Sequence, residues 1–133
     1  MAVLSFLLVD DEVSLLTLLK RYLQRQGHQV TSCENGAAAI AACTSHCEGF
    51  DIAVVDVNLP DMNGHELAQN LGSISKRLRI LLVSGIPDGV SGLPQDVRER
   101  SRFLLKPYTP SQLMKEVDEL VGNSKPSAGS ASA

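Results

Sequence analysis

The residues with the clearest chemical potential are Asp10, Asp11, Asp56, Ser84 and Lys106, each standing where a short apolar run ends. In an open parallel sheet, polar groups at the carboxyl ends of strands converge on one crevice, so a single pocket can hold the whole set. Carboxylates crowded in this way repel and raise one another's pKa unless a cation intervenes. Mg²⁺ is the natural counterion: it takes oxygen ligands in octahedral geometry, and the set offers no His or Cys group for zinc. Lys106 adds a second, fixed positive charge. Such a pocket suits in-line attack of an aspartate oxygen on phosphorus, where metal and lysine neutralise charge on the transferring group. Asp10 or Asp11 alone could simply cap a helix, but capping gives no reason for the distant Lys106.

These residues need strands to carry them. Apolar runs at Val3 to Val9, His28 to Ser32, Asp51 to Val55, Arg79 to Val83 and Arg102 to Leu105 alternate with helix-compatible stretches, which predicts a parallel α/β sheet. FLLV, IAVV and ILLV are apolar at consecutive positions, as expected of strands covered on both faces. Leu15, Leu18, Leu19, Tyr22 and Gln26 fall near a helical period, widened by Leu16 and Leu23, with Gly27 as the stop. Asn35 is placed to cap a second helix running toward Cys47, and a third is expected from Gly64 through Leu71. Thr109 and Gln112 form a capping box around Pro110 for a last helix, whose stripe is Leu113, Met114, Val117, Leu120 and Val121. Between Ser84 and Arg100, Gly85, Pro87, Gly89, Gly92 and Pro94 predict a short or irregular fourth helix.

The composition narrows the field. A chain of 133 residues with 44% apolar content fits one compact domain, expected over residues 1–122, followed by a small, polar and disordered tail at 123–133. The formal charge of -3 supplies no basic field for nucleic-acid phosphates, so direct nucleic-acid binding is not expected. Cys33, Cys43 and Cys47 are an odd number without a secretory signal, which favours a reducing, cytoplasmic setting over a disulfide framework. The opening apolar run is too short to insert in a membrane. Cys43, His46 and Cys47 lack further ligands for a metal, and His28 and His65 read as solvated or structural.

The ordered set VDDE, VVDVNLPDMNG, LLVSG and FLLKPYTP resembles the response-regulator receiver family of two-component signalling over residues 3 to 122. The resemblance implies a doubly wound five-stranded parallel sheet in the flavodoxin-like order 2-1-3-4-5; that order is a known example for this fold class. It implies that Asp56 is the phosphoacceptor. Asp11 and Asp56 would bind Mg²⁺ directly, Asp10 largely through water, and Asn58 through its backbone carbonyl. Ser84 and Lys106 would contact phosphoryl oxygens, Ser84 and Phe103 would act as switch residues, and the Lys106 to Pro107 peptide would be cis. The implied partners are a histidine kinase or histidine phosphotransfer protein and a downstream protein target, with signalling by protein contact rather than enzyme turnover. The chain reads equally as a stand-alone regulator or as the receiver of a hybrid histidine kinase. An aspartyl-phosphate phosphohydrolase of the haloacid dehalogenase type would want an acid two residues after Asp56, where Asn58 stands. A flavodoxin-like cofactor binder would want a phosphate loop where Asp10 and Asp11 stand.

Overall fold

A computed structural model describes residues 3–46, 49–87 and 89–122 of the protein. The strands are β1 (Ser5–Val9), β2 (Gln29–Cys33), β3 (Ile52–Asp56), β4 (Arg79–Ser84) and β5 (Ser101–Leu105), and the helices are α1 (Val13–Arg25), α2 (Gly36–Ser45), α3 (Gly64–Ile74), α4 (Gln95–Arg98) and α5 (Pro110–Gly122). The strands are all parallel and stand in the order β2-β1-β3-β4-β5, as expected of the doubly wound class. The β1, β3 and β4 runs fill the middle because both their faces are apolar.

Alternation along these strands divides the core in two. Leu7, Val9, Ala53, Val55, Ile80 and Leu82 meet Ala39, Cys43, Leu67, Ala68, Leu71 and Val97 from α2, α3 and α4. On the other face Phe6, Leu8, Ile52, Val54, Leu81 and Val83 meet α1 and α5 through Leu16, Leu19, Leu23, Leu113, Val117 and Leu120. The α1 stripe is therefore narrower than its leucine content suggests. It centres on Leu16, Leu19 and Leu23, whereas Leu18 is 55% exposed on the opposite side. A stripe at i, i+3 and i+7 already fills the contact with the sheet, and Leu18 lies off that line.

Local chemistry sets the helix ends. Gly27, at φ 95°, closes α1 with the paired bonds Gly27 N–H to Gln24 O (3.0 Å) and His28 N–H to Leu23 O (3.1 Å), a Schellman turn that needs positive φ. Asn35 Oδ1 accepts from Ala38 N–H at 2.8 Å and starts α2. The α5 capping box forms as expected: Thr109 N–H donates to Gln112 Oε1 at 2.8 Å, and Gln112 N–H donates to Thr109 Oγ1 at 3.1 Å. Helix α3 runs to Ile74, a turn beyond the expected end at Leu71. Its end has a partner from elsewhere: Arg100 donates to Gly72 O at 3.1 Å and Ser75 O at 3.0 Å, and also to Leu78 O at 2.8 Å in the connection to β4.

The fourth helix has only four residues, in keeping with the glycines and prolines before it. It is nonetheless anchored, because Leu93 and Val97 are buried. His28 and His65 are structural. His28 Nδ1 accepts from Leu4 N–H at 3.0 Å, and the His65 ring lies 3.0 Å from both Asn63 Oδ1 and the Gly89 carbonyl. Cys33 and Cys43 are buried free thiols whose pKa burial raises. Cys47 and the tail at 123–133 lie outside the described residues, as does the pairing of Cys43 and His46 with Cys47. No described helix is long and apolar enough to cross a membrane.

Candidate functional site

The acidic crevice forms at the carboxyl edge because the central strands stop in register there. Asp56 pairs with Val83 and Ser84 with Leu105, so both polar residues are the last paired positions of their strands. Asp10 is held just beyond β1 by its own N–H, which donates to Cys33 O at 3.1 Å. Lys106 is held just beyond β5, donating its N–H to Ser84 O at 2.7 Å, and the peptide that follows it to Pro107 is cis, as expected.

The side chains then meet. Lys106 Nζ lies 3.0 Å from Asp10 Oδ2 and 3.5 Å from Asp56 Oδ2. Asp10, Asp11 and Asp56 each offer a carboxylate oxygen, and these oxygens lie within 4.8 Å of one another. Asp10 and Asp56 are only 4% and 5% exposed, whereas Asp11 is open to solvent. Asp10 does not cap α1: its Oδ1 accepts from Glu12 N–H at 2.9 Å, ahead of the helix, and its other oxygen faces the lysine. Asp56 Oδ1 accepts from Asn58 N–H at 3.3 Å, which folds the following loop back over the carboxylate. Asn58 bridges to Asn63, and Asp11 and Asn58 line one open groove of about 420 Å³. The Ser84 side chain is fully buried, and its Oγ accepts from Ile86 N–H at 3.2 Å, leaving the hydroxyl proton to be donated. Phe103 is half-buried against the core that contains α3 and α4.

The electrostatics follow from this packing. Burial and the Asp10 charge push the Asp56 carboxyl above its ordinary value of 3.8, outweighing the downward pull of Lys106 and the Asn58 N–H. Desolvation alone would lower the Lys106 pKa, but its hydrogen bond to Asp10 and the charges of Asp10 and Asp56 together raise it. One ammonium facing a set of carboxylates leaves the crevice with unbalanced negative charge. The donor set is oxygen only, one member is open to water, and the set fits a hard dication such as Mg²⁺.

Two positions without an assigned role in the sequence reading also shape the crevice. Asp61 accepts from Gly36 and Ala37 N–H at 2.8 and 2.9 Å, stitching the loop after β3 to the start of α2, and those bonds lower its pKa. Gly64 begins α3 so close to β3 that an added Cβ would lie 2.5 Å from Asp56 O and 2.6 Å from Val57 Cα. A glycine in a loop motif is a visible signal of such an approach; the partner of Asp61 is not visible in sequence.

The chain belongs to the response regulator receiver domain family, whose model matches residues 6–118. It is 31% identical over 115 residues to the two-component response regulator ARR14 of Arabidopsis thaliana, a match that covers 83% of this chain and 29% of that protein. The receiver domain protein of Methanospirillum hungatei JF-1 has the same fold, with a TM-score of 0.81 at 24% identity over 94% of this chain and 99% of that one. A CheX-CheY complex of Borrelia burgdorferi solved with BeF₃ and Mg²⁺ matches at a TM-score of 0.76 and 21% identity, over 89% of each chain. The chain spans less than a third of the length of the plant regulators it matches. Receiver domains are signalling switches of two-component systems, and that is the class in which the crevice belongs.

Proposed function

We propose that the crevice accepts a phosphoryl group on Asp56 from the phosphohistidine of a histidine kinase or histidine phosphotransfer protein, in a cytoplasmic relay that signals by contact with a downstream protein. The observation that carries the reading is Lys106 Nζ set between Asp10 and Asp56 while the acidic oxygens crowd within 4.8 Å. Mg²⁺, held by Asp10, Asp11, Asp56 and the Asn58 carbonyl, would supply positive charge against the phosphoryl oxygens. An Asp56 carboxylate oxygen forms the new P–O bond as the P–N bond to the donor histidine breaks, and the electron pair leaves with the imidazole nitrogen. Lys106 Nζ is within reach of Asp56 and turns toward the added oxygens, while the buried Ser84 hydroxyl donates to one of them. That pull on Ser84 shifts the chain after β4, and Phe103 on the neighbouring strand repacks with it. The switch turns over no substrate of its own beyond gaining and losing this group.

Incubation with acetyl phosphate and Mg²⁺ should add one phosphoryl mass to the protein and none to Asp56→Asn. Labelling of that variant at the wild-type level would move the acceptor elsewhere. Initial rates with a panel of purified kinases would identify the donor and show whether this receiver acts alone or as part of a hybrid kinase.

A further inference from the structure

The loop from Asn58 to Asn63 carries the one backbone carbonyl proposed as a metal ligand, and the hold on Asn58 itself is slack. Its N–H reaches Asp56 Oδ1 at 3.3 Å, beyond the usual length of an N–H···O bond. Its carbonyl accepts no hydrogen bond among the described residues, because the bridge to Asn63 is closed next to it, by Gly64 N–H donating to Val57 O at 2.7 Å. The base of the loop is thus fixed beside β3, while the direction of the Asn58 carbonyl depends on the residues that follow.

Those residues are fastened to α2. Asp61 Oδ1 accepts from Gly36 N–H at 2.8 Å and Oδ2 from Ala37 N–H at 2.9 Å, so both carboxylate oxygens are engaged. Leu59 and Met62 pack against the core, but with Pro60 they make no hydrogen bond among the described residues, which leaves Asp61 as the polar tie of the loop's tip. Met62 lies over the same glycine: a Cβ on Gly36 would stand 2.5 Å from its Sδ. The start of α2 has its own cap without Asp61, since Asn35 Oδ1 holds the Ala38 N–H at 2.8 Å. Asp61 lines the open groove with Asp11 and Asn58, yet it is not one of the carboxylates crowded at Asp56.

We propose that Asp61 is a positioning residue of the metal site: it latches the tip of this loop to α2, fixes the Asn58 carbonyl, and so sets the preference of the crevice for Mg²⁺ over Ca²⁺. This rests on the metal reading of the crevice. Mg²⁺ demands near-ideal octahedral geometry, whereas Ca²⁺ accepts more oxygens in flexible arrangements. A carbonyl held in one direction favours the strict ion, and a carbonyl free to swing favours the tolerant one. Charge alone makes no such distinction, because the two cations carry the same charge.

Calorimetric titration of the unphosphorylated protein with Mg²⁺ and, separately, with Ca²⁺ provides the test. Asp61→Ala should bind Mg²⁺ about tenfold more weakly than wild type, the low end of what groups supporting a metal ligand contribute. Its Ca²⁺ affinity should fall by no more than about threefold, the effect of one remote and screened charge. Gly36→Pro breaks the latch from the other end and keeps the carboxylate. Proline suits the first position of a helix but lacks the N–H, and its ring displaces Met62. It should lower the ratio of Mg²⁺ to Ca²⁺ affinity in the same direction. Equal losses for the two cations in Asp61→Ala would show that the carboxylate acts by charge alone and overturn the proposal. A wild-type ratio in Gly36→Pro would overturn it as well. Wild type that bound neither cation would overturn the metal reading itself, and the proposal with it.

Discussion

Replacing Lys106 by methionine keeps the length of the side chain and removes the charge that separates Asp10 from Asp56. At 3.0 and 3.5 Å, with an effective dielectric constant of about 20, each attraction amounts to about 5 kcal/mol. Removing the ammonium from water offsets much of this, although the side chain keeps 22% of its exposure. A net loss of about 3 kcal/mol at neutral pH without Mg²⁺ is expected, because two nearly buried carboxylates are left facing each other. In a domain of this size that lowers the thermal midpoint by about 10 °C. The sign of the pH dependence discriminates the cause. Asp56 already titrates above 3.8 in the folded protein, so the folded state binds more protons than the unfolded one in that window. Stability therefore rises as pH falls through the folded pKa toward 3.8 and is given up as pH rises. Lys106→Met removes a downward influence on Asp56 and widens the window. Thermal melts from neutral pH down toward the ordinary carboxylate range should show the variant closest to wild type at the acid end. Added Mg²⁺ should restore the variant more than it stabilises wild type, since ligand held at about a hundredfold over its Kd contributes about 2.7 kcal/mol. A loss that is the same at every pH and indifferent to Mg²⁺ would refute the electrostatic account and leave Lys106 as a packing residue.

Gly64→Ala should cost about 1–3 kcal/mol despite alanine's better helix propensity, because the new methyl meets backbone that cannot yield easily. Chemical denaturation measures it, and a stabilised variant would disprove the close approach of α3 to β3. Hydrogen exchange should locate the phosphorylation-dependent ordering within residues 85–92, since Leu93 and Val97 are buried and β5 is paired to β4. Loading with Mg²⁺ and beryllofluoride should raise protection there more than in α1 or α5; equal protection before and after loading would place the moving surface elsewhere.

The sequence made the crevice legible because its members are polar residues at the ends of apolar runs, and a parallel sheet gathers such ends at one edge. The strand limits were less legible. Asp56 and Ser84 stand outside the apolar runs, yet both are paired to their neighbours, because backbone pairing continues after side-chain polarity changes. The four-residue α4 could be read from its glycines and prolines, whose helix penalties are local. In α1 the abundance of leucine blurred the direction of the stripe: Leu15, Leu16, Leu18, Leu19, Tyr22 and Leu23 spread over adjoining faces, and only the sheet selects Leu16, Leu19 and Leu23 over Leu18. Asp61 and Arg100 were silent for a different reason. Each binds backbone groups more than 20 residues away, and neither a carbonyl nor an amide announces itself through residue type.

The guanidinium of Arg100 divides the chain after β4 into parts with different freedom to change length. From Val97 to Ser101 the spacing is fixed. Val97 must reach the core, Arg100 must reach the end of α3, and Ser101 must enter the sheet beside Ile80, so one inserted residue would pull at least one of them out of place. Upstream, from Gly85 to Pro87, no strand register or buried apolar side chain sets a count; the first holds after it among the described residues are the Gly89 carbonyl, 3.0 Å from His65 Nε2, and Val90, packed against the core. Doubling a flexible loop costs only about 0.6 kcal/mol in closure entropy. Insertions and deletions are thus cheap on one side of α4 and expensive on the other, and a peptide tag or reporter placed in the first stretch would leave the sheet's pairing intact.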